Sequence, residues 1–292
     1  MKLISFRIQS QSGYGALKGD GAVDLSKHLG KRFPDLKSLL SSADGEGLKS
    51  AAGLLEGAAP DLRLEQIELL PPIPNPGTIW CAGMNTHSHF NEAKAYMGLK
   101  DLPPKPILFL RANATLVGSG QPLEKPKLEP IFDFEGEIAL VIGKRGRNVP
   151  VESALDYIAG YSAFNDASAR SYQQASPQIT AGKNAYRSGG FGPCLATPDE
   201  VDLATMTMVC RVDGNEMQRM PVDDLIFSFA QLISFISEFA WLEVGDIMVT
   251  GSPKGIGALR NPRVLLVPGT RVEVEVSGVG TLVNDVLEQV LT

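Results

Sequence analysis

The chain has 292 residues, 43% of them hydrophobic and 21% charged, which is enough apolar side chain to bury a large core, in one large domain or in a small one joined to a larger one. A formal charge of -6 and a pI near 5.2 exclude a phosphate-backbone partner, because counterion-release binding needs clustered Lys and Arg. The three cysteines, at 81, 194 and 210, have no paired short spacing, so a disulfide framework and a zinc site are excluded in favour of reduced thiols and a cytoplasmic setting.

The N-terminal MKLISFRIQS has a short apolar stretch without a small-residue cleavage site, and nowhere do roughly 18 uncharged apolar residues run together. The reading is therefore no signal peptide and no membrane span. Residues 2 to 25 predict two short strands around a Gly-Asp-Gly turn, and residues 34 to 56 one or two helices interrupted at Asp44-Gly45-Glu46-Gly47. Leu70-Pro71-Pro72-Ile73-Pro74-Asn75-Pro76 continues neither helix nor central strand, which places a boundary there: a small domain over 1–70, the chemistry over 71–292.

Beyond the prolines the pattern predicts a strand at 78 to 82, a helix near 87 to 97, a strand at 107 to 111, a strand from 132 to 143 and a helix from about 151. Further strands are expected at 208 to 213, 246 to 250, 271 to 276 and 281 to 286. Between them, Leu225, Phe229, Leu232, Ile233, Ile236 and Ala240 recur at helical spacing, with Pro221 before and Gly245 beyond. The basic cluster Lys144-Arg145-Gly146-Arg147 follows a buried strand and precedes Pro150, so it reads as a solvated turn.

Four segments carry chemistry. In FDFEGEIALVIG, residues 132 to 143, a period of two places Asp133, Glu135 and Glu137 on one side and Phe132, Phe134, Ile138, Leu140 and Ile142 on the other. The acidic face turns apolar at Ala139 and Val141, so the strand is expected to be buried on both sides, where clustered carboxylates require a hard cation: Mg2+, with Mn2+ or Ca2+ as alternatives. Asp166, from YIAGYSAFNDASARSYQ, can complete the set from another direction. The competing reading of Glu-x-Glu, a solvated strand edge, is opposed by these apolar flanks.

In MNTHSHFNEAKAYMG, His89 and Glu92 stand three apart and share a helix face, the arrangement of a general base with its orienting acid. His87 faces away in a regular helix, so a His-x-His zinc pair would need extended backbone. Gly182-Lys183-Asn184 offers a cation for a developing oxyanion. The glycines of TGSPKGIG, from Thr250 and Gly251 to Gly257, offer backbone amides to a carboxylate, although this is neither a P-loop nor a nucleophile elbow.

In this order, GMNTHSHFNEA, PILFLRANATLVGSGQPL, DFEGEIALVIGKRGRNV, GYSAFNDASAR, GKN, GP at 192 to 193 and LEVGDIMVTGSPKGIG resemble the fumarylacetoacetate hydrolase family over about residues 72 to 286. The resemblance implies an α+β, strand-rich fold, a mixed β-roll or sandwich core preceded by a small α/β domain, that pairs as a homodimer, with the His-Glu segment as a lid. It implies Glu135, Glu137 and Asp166 as metal ligands, His89 with Glu92 as the base dyad, Lys183 beside the metal, and Gln173 and Thr250 on the substrate. Thr86, Arg111, Ser252 and Lys254 depart from the usual pattern. Arg111 stands where lysine is common, and its fork favours a second substrate carboxylate. The implied activity is metal-dependent hydrolysis of a carbon-carbon bond in a 2,4-dioxo acid. Oxaloacetate decarboxylation or oxo acid hydration and isomerisation on the same site are alternatives, and a non-catalytic metabolite-binding protein ranks last.

Overall fold

A computed structural model describes residues 1–97 and 101–290. The leading segment contains β1 (Lys2–Ile8), β2 (Gln11–Lys18), β3 (Gly21–Asp24), α1 (Ser26–Leu29), α2 (Leu36–Leu40), α3 (Glu46–Gly57), β4 (Leu62–Arg63) and β5 (Glu68–Leu69). There are three strands where the alternation predicted two, because Gln9 takes a left-handed φ of 53° and turns the chain back before the Gly-Asp-Gly turn is reached.

After the prolines come β6 (Ile79–Gly83), α4 (His87–Met97), β7 (Ile107–Arg111), β8 (Leu116–Val117), β9 (Leu123–Lys125), β10 (Phe132–Asp133), β11 (Gly136–Ile142) and β12 (Ile158–Asp166). Then follow β13 (Ser168–Ala169), α5 (Arg170–Gln173), α6 (Thr180–Lys183), β14 (Gly189–Ala196), β15 (Thr207–Val212), β16 (Asn215–Pro221), α7 (Phe229–Phe239), β17 (Ile247–Val249), β18 (Arg271–Val276) and β19 (Gly280–Glu288). The segment expected to start a helix at 151 is a 3-10 turn over Val151–Tyr157. The predicted helix through Leu225 begins later, because Ser228 and Gln231 close a reciprocal capping box that leaves Leu225 outside.

The fold is α+β and strand-rich, as expected. One mixed sheet follows the path β4-β3-β2-β1-β14-β12-β11-β17-β6-β7, and a second runs β16-β15-β18-β19-β9. The leading segment joins the first sheet edge to edge, through Lys2 opposite Ala196 and Leu3 opposite Leu195.

Period-two patterning decides what each face of β11 meets. Ile138, Leu140 and Ile142 pack with Met208, Cys210, Val272, Val274 and Leu282 of the second sheet. Ala139 and Val141, on the other face, share a core with Leu36, Leu39, Leu40 and Ala51 from α2 and α3. All seven residues of β11 are therefore buried. Each of its large aliphatic side chains contributes about 1.5–3 kcal/mol by leaving water. Among the described residues, no helix is long and apolar enough to cross a membrane.

Candidate metal centre and its base

The acidic residues meet at the end of the β11–β12 pair. Gly136 lies opposite Asn165 and Glu137 opposite Phe164, so Glu137 and Asp166 emerge on one face, and Glu135 immediately precedes the strand. Two hydrogen bonds lock this register: the Asp166 N–H donates to Glu135 O at 2.8 Å, and the Glu135 N–H to Asn165 Oδ1 at 3.1 Å. As a result, carboxylate oxygens of Glu135, Glu137 and Asp166 lie within 4.8 Å of one another, and all three residues are buried.

Asp133 does not join them. The predicted continuous strand breaks at residues 134 and 135, where β10 leaves β11 to pair with β13. Asp133 is thereby turned onto Arg170, which bonds it through Nε at 3.0 Å and Nη2 at 2.8 Å.

The charges around the triad are unevenly matched. Lys183, at the end of α6, reaches Glu135 at 2.6 Å and Asp166 at 2.5 Å. Arg170 reaches Glu135 at 2.6 Å, and Arg111 pairs with Asp166. Burial opposes the charged form of Glu135, yet Lys183 and Arg170 outweigh it and hold this carboxyl well below the ordinary carboxylate range. Burial likewise opposes the charge on Lys183, but Asp166 and Glu135 raise its affinity for the proton.

Glu137 differs. Among the described residues it has no salt-bridge partner, and it accepts a hydrogen bond from the Gly251 N–H. Burial and repulsion from Asp166 and Glu135 push its carboxyl well above the usual value. Gly251 can approach because φ is +109° and a Cβ there would lie 2.8 Å from Asn85 Cβ. Three buried oxygen donors, one without a compensating cation, fit a hard divalent ion. Mg2+, Mn2+ and Ca2+ share this donor preference.

His89 and Glu92 lie on α4 as predicted, with Nδ1 and Oε2 3.4 Å apart. Thr86 explains its own departure from the family pattern: its Oγ1 accepts the His89 N–H at 3.2 Å, capping the helix, and donates to Ser252 O at 2.8 Å. The glycine-rich loop holds the other side of α4, for the Gly255 N–H donates to Glu92 Oε1 at 3.0 Å and the Lys254 N–H to Ser88 Oγ at 3.2 Å. The same loop reaches the triad, since the Gly251 N–H donates to Glu137, so α4 and the acids share one anchor.

Three side chains expected on the substrate make hydrogen bonds within the protein. Arg111 is buried, with Nη1 on Asp166 and Nη2 on Ser188 Oγ at 2.6 Å, so its fork spans an acid of the triad and a serine. Thr250 is fully buried and donates to Ile138 O at 2.9 Å. Gln173 is half-buried and accepts from Arg170 Nη1 at 2.9 Å. Sequence reasoning missed Arg170 and Asn85. The available signal for Arg170 was its four-residue distance from Asp166; Asn85 holds Thr250 O and Phe227 O and stands in the segment quoted above.

Residues 78–287 match the family model for the fumarylacetoacetate (FAA) hydrolase C-terminal domain. The mitochondrial oxaloacetate tautomerase of Xenopus laevis is 31% identical over 294 residues, covering 98% of this chain and 90% of that protein. The structure of maleylpyruvate hydrolase from Sphingobium sp. SYK-6, in complex with manganese(II) ion and pyruvate, superposes with a TM-score of 0.80 at 27% identity, over 99% of this chain and 100% of that one. A 5-carboxymethyl-2-hydroxymuconate delta-isomerase from Mycobacterium smegmatis gives a TM-score of 0.77 at 26% identity, over 100% of both chains.

Proposed function

The chain belongs to the fumarylacetoacetate hydrolase family, and from that premise we propose that it is a divalent-metal-dependent enzyme of 2-oxo acids, hydrolysing the bond between carbons 3 and 4 of a 2,4-dioxo acid. The observation that supports this reading is the docking of α4 on the glycine-rich loop, which holds Glu92 through Gly255 and the triad acid Glu137 through Gly251. Glu135, Glu137 and Asp166 would hold the ion, which would supply a Lewis acid for the oxo acid end of the substrate.

The rest falls to side chains. With Glu92 on Nδ1, the imidazole of His89 keeps Nε2 for proton transfer and takes a proton from the water that attacks carbon 4. When the carbon-carbon bond breaks, the electron pair moves into a pyruvate enolate. Lys183, two of whose three N–H donors lie on Glu135 and Asp166, turns the third toward the enolate oxygen. The imidazolium then returns its proton to carbon 3, giving pyruvate and a carboxylic acid. Helix α4 acts as the cover that excludes bulk water during these transfers.

A second reading, keto-enol interconversion of oxaloacetate, is favoured by the near end-to-end similarity to the tautomerases. It uses the same His89 proton transfer at carbon 3 without an attacking water. The test compares an acylpyruvate with enol-oxaloacetate, with Mg2+, with Mn2+ and with chelator. Metal-dependent pyruvate release from the acylpyruvate, lost in His89→Ala with metal binding retained, is the expected result. Conversion of enol- to keto-oxaloacetate with no cleavage of the acylpyruvate would put the second reading first, and carbon dioxide release would indicate decarboxylation.

A further inference from the structure

We propose that Asp133 is a positioning residue for the metal centre: it balances the Arg170 guanidinium, and so sets how far that cation claims the ligand Glu135. The inference rests on the reading of Glu135, Glu137 and Asp166 as divalent-metal ligands.

Arg170 is buried between two carboxylates. Its Nε and Nη2 lie 3.0 and 2.8 Å from Asp133 Oδ2, and its Nη1 lies 2.6 Å from Glu135 Oε1. A guanidinium cannot shed its charge, so whatever Asp133 does not neutralise falls on Glu135. The other oxygen of Glu135 is already held by Lys183 at 2.6 Å. With Asp133 charged, Arg170 divides its donors, and Glu135 can exchange one contact for an ion. Without that charge, Glu135 becomes the only carboxylate paired with Arg170 among the described residues, and the ion must compete with a full buried salt bridge.

Asp133 also ties this cation to the loop that holds the base. Its Oδ1 accepts the Phe134 N–H at 3.0 Å and the Gly257 N–H at 2.8 Å, and its Oδ2 accepts the Ala258 N–H at 3.1 Å. The approach at Gly257 requires glycine, since a Cβ there would lie 1.7 Å from Val264 O and 2.7 Å from Asp133 Oδ1. The same loop reaches Glu92 through Gly255 and Glu137 through Gly251. One fully buried carboxylate therefore receives three backbone amides and two guanidinium donors. An asparagine has a single acceptor oxygen to offer them, so its NH2 group would face either Arg170 or the Phe134 and Gly257 amides.

The test is Mn2+ affinity, read by paramagnetic resonance of free Mn2+ or by calorimetry, with far-ultraviolet circular dichroism reporting the fold. Asp133→Asn is expected to weaken Mn2+ binding about 10–100-fold, the usual consequence of disturbing a partner of a metal ligand. Asp133→Asn/Arg170→Gln, which removes both charges together, is expected to regain most of that loss. A merely structural defect would not be repaired by a second buried substitution. Unchanged affinity in Asp133→Asn, or a double variant that binds no better than the single one, would overturn the inference. If Asp133→Asn does not fold, the double variant decides: Mn2+ affinity within about tenfold of the parent supports the proposal, and a larger loss overturns it. A parent protein that binds no Mn2+ would remove the metal reading itself, an outcome distinguishable from failure of the variants alone.

Discussion

Lys183→Met tests the electrostatics of the whole centre. The ammonium is buried and closes two ion pairs, at 2.6 Å to Glu135 and 2.5 Å to Asp166, in a site where three carboxylates lie within 4.8 Å. Methionine preserves much of the volume but leaves those acids with Arg111 and Arg170 alone. Removing one partner of a buried pair costs about 3–5 kcal/mol. For 292 residues the unfolding entropy is about 0.6 kcal/mol/K, so in chelator the variant should melt about 5–8 °C below the parent. A divalent ion at a hundred times its Kd returns about 2.7 kcal/mol, and the gain should be larger in the variant, which lacks the cation that competes for the same oxygens. Scanning calorimetry of both proteins in chelator and in excess Mg2+ measures both quantities. Equal melting temperatures in chelator, or equal metal-induced shifts, would refute the reasoning.

Glu137→Gln keeps an acceptor for the Gly251 N–H and removes the acid that no side-chain cation balances. The metal-free variant should be at least as stable as the parent and should lose the metal-induced rise in Tm, measured in the same scans. The pH dependence of metal binding follows from that carboxyl's raised value. In the metal-free protein Glu137 contributes stability below its unfolded value and loses it as pH rises through the folded one. An ion needs the deprotonated form, so below the folded value log K should climb by about one per pH unit, which Mn2+ calorimetry at stepped pH will show or fail to show. Glu135, held below the ordinary range, has the opposite sign: its contribution is present above the unfolded value and disappears as pH falls through the folded one, so acid titration of the metal-free protein should destabilise it. Thr86→Ala removes the cap of α4 at a cost of about 1 kcal/mol. Faster hydrogen exchange in the first turns of that helix, with turnover reduced and Mn2+ affinity retained, is expected; unchanged exchange would mean the cap does not hold the cover in place.

The sequence by itself determined the secondary elements whose periodicity is strong and the identity of the acids. Both faces of β11 are apolar beyond Glu137, which implies burial on both sides, and spacing three alone puts His89 and Glu92 on one face of α4. Weakly patterned strands escaped notice: β12 and β14 mix glycine and alanine with larger residues without alternation, because each is covered on both faces and packs closely against its neighbours. Alternation by itself did not decide which acids converge; the family resemblance named Glu135, Glu137 and Asp166, and the tertiary structure brings those three together. Alternation alone grouped Asp133 with Glu135 and Glu137, but the break at 134 and 135 gave Asp133 to Arg170 and brought Asp166 in from β12. Likewise, a fork such as that of Arg111 looks from sequence like a substrate clamp, and only the fold shows that it is buried against Asp166 and Ser188. Periodicity is local and fixes a face. Which charge meets which depends on long-range register, and that exists only once the strands have paired.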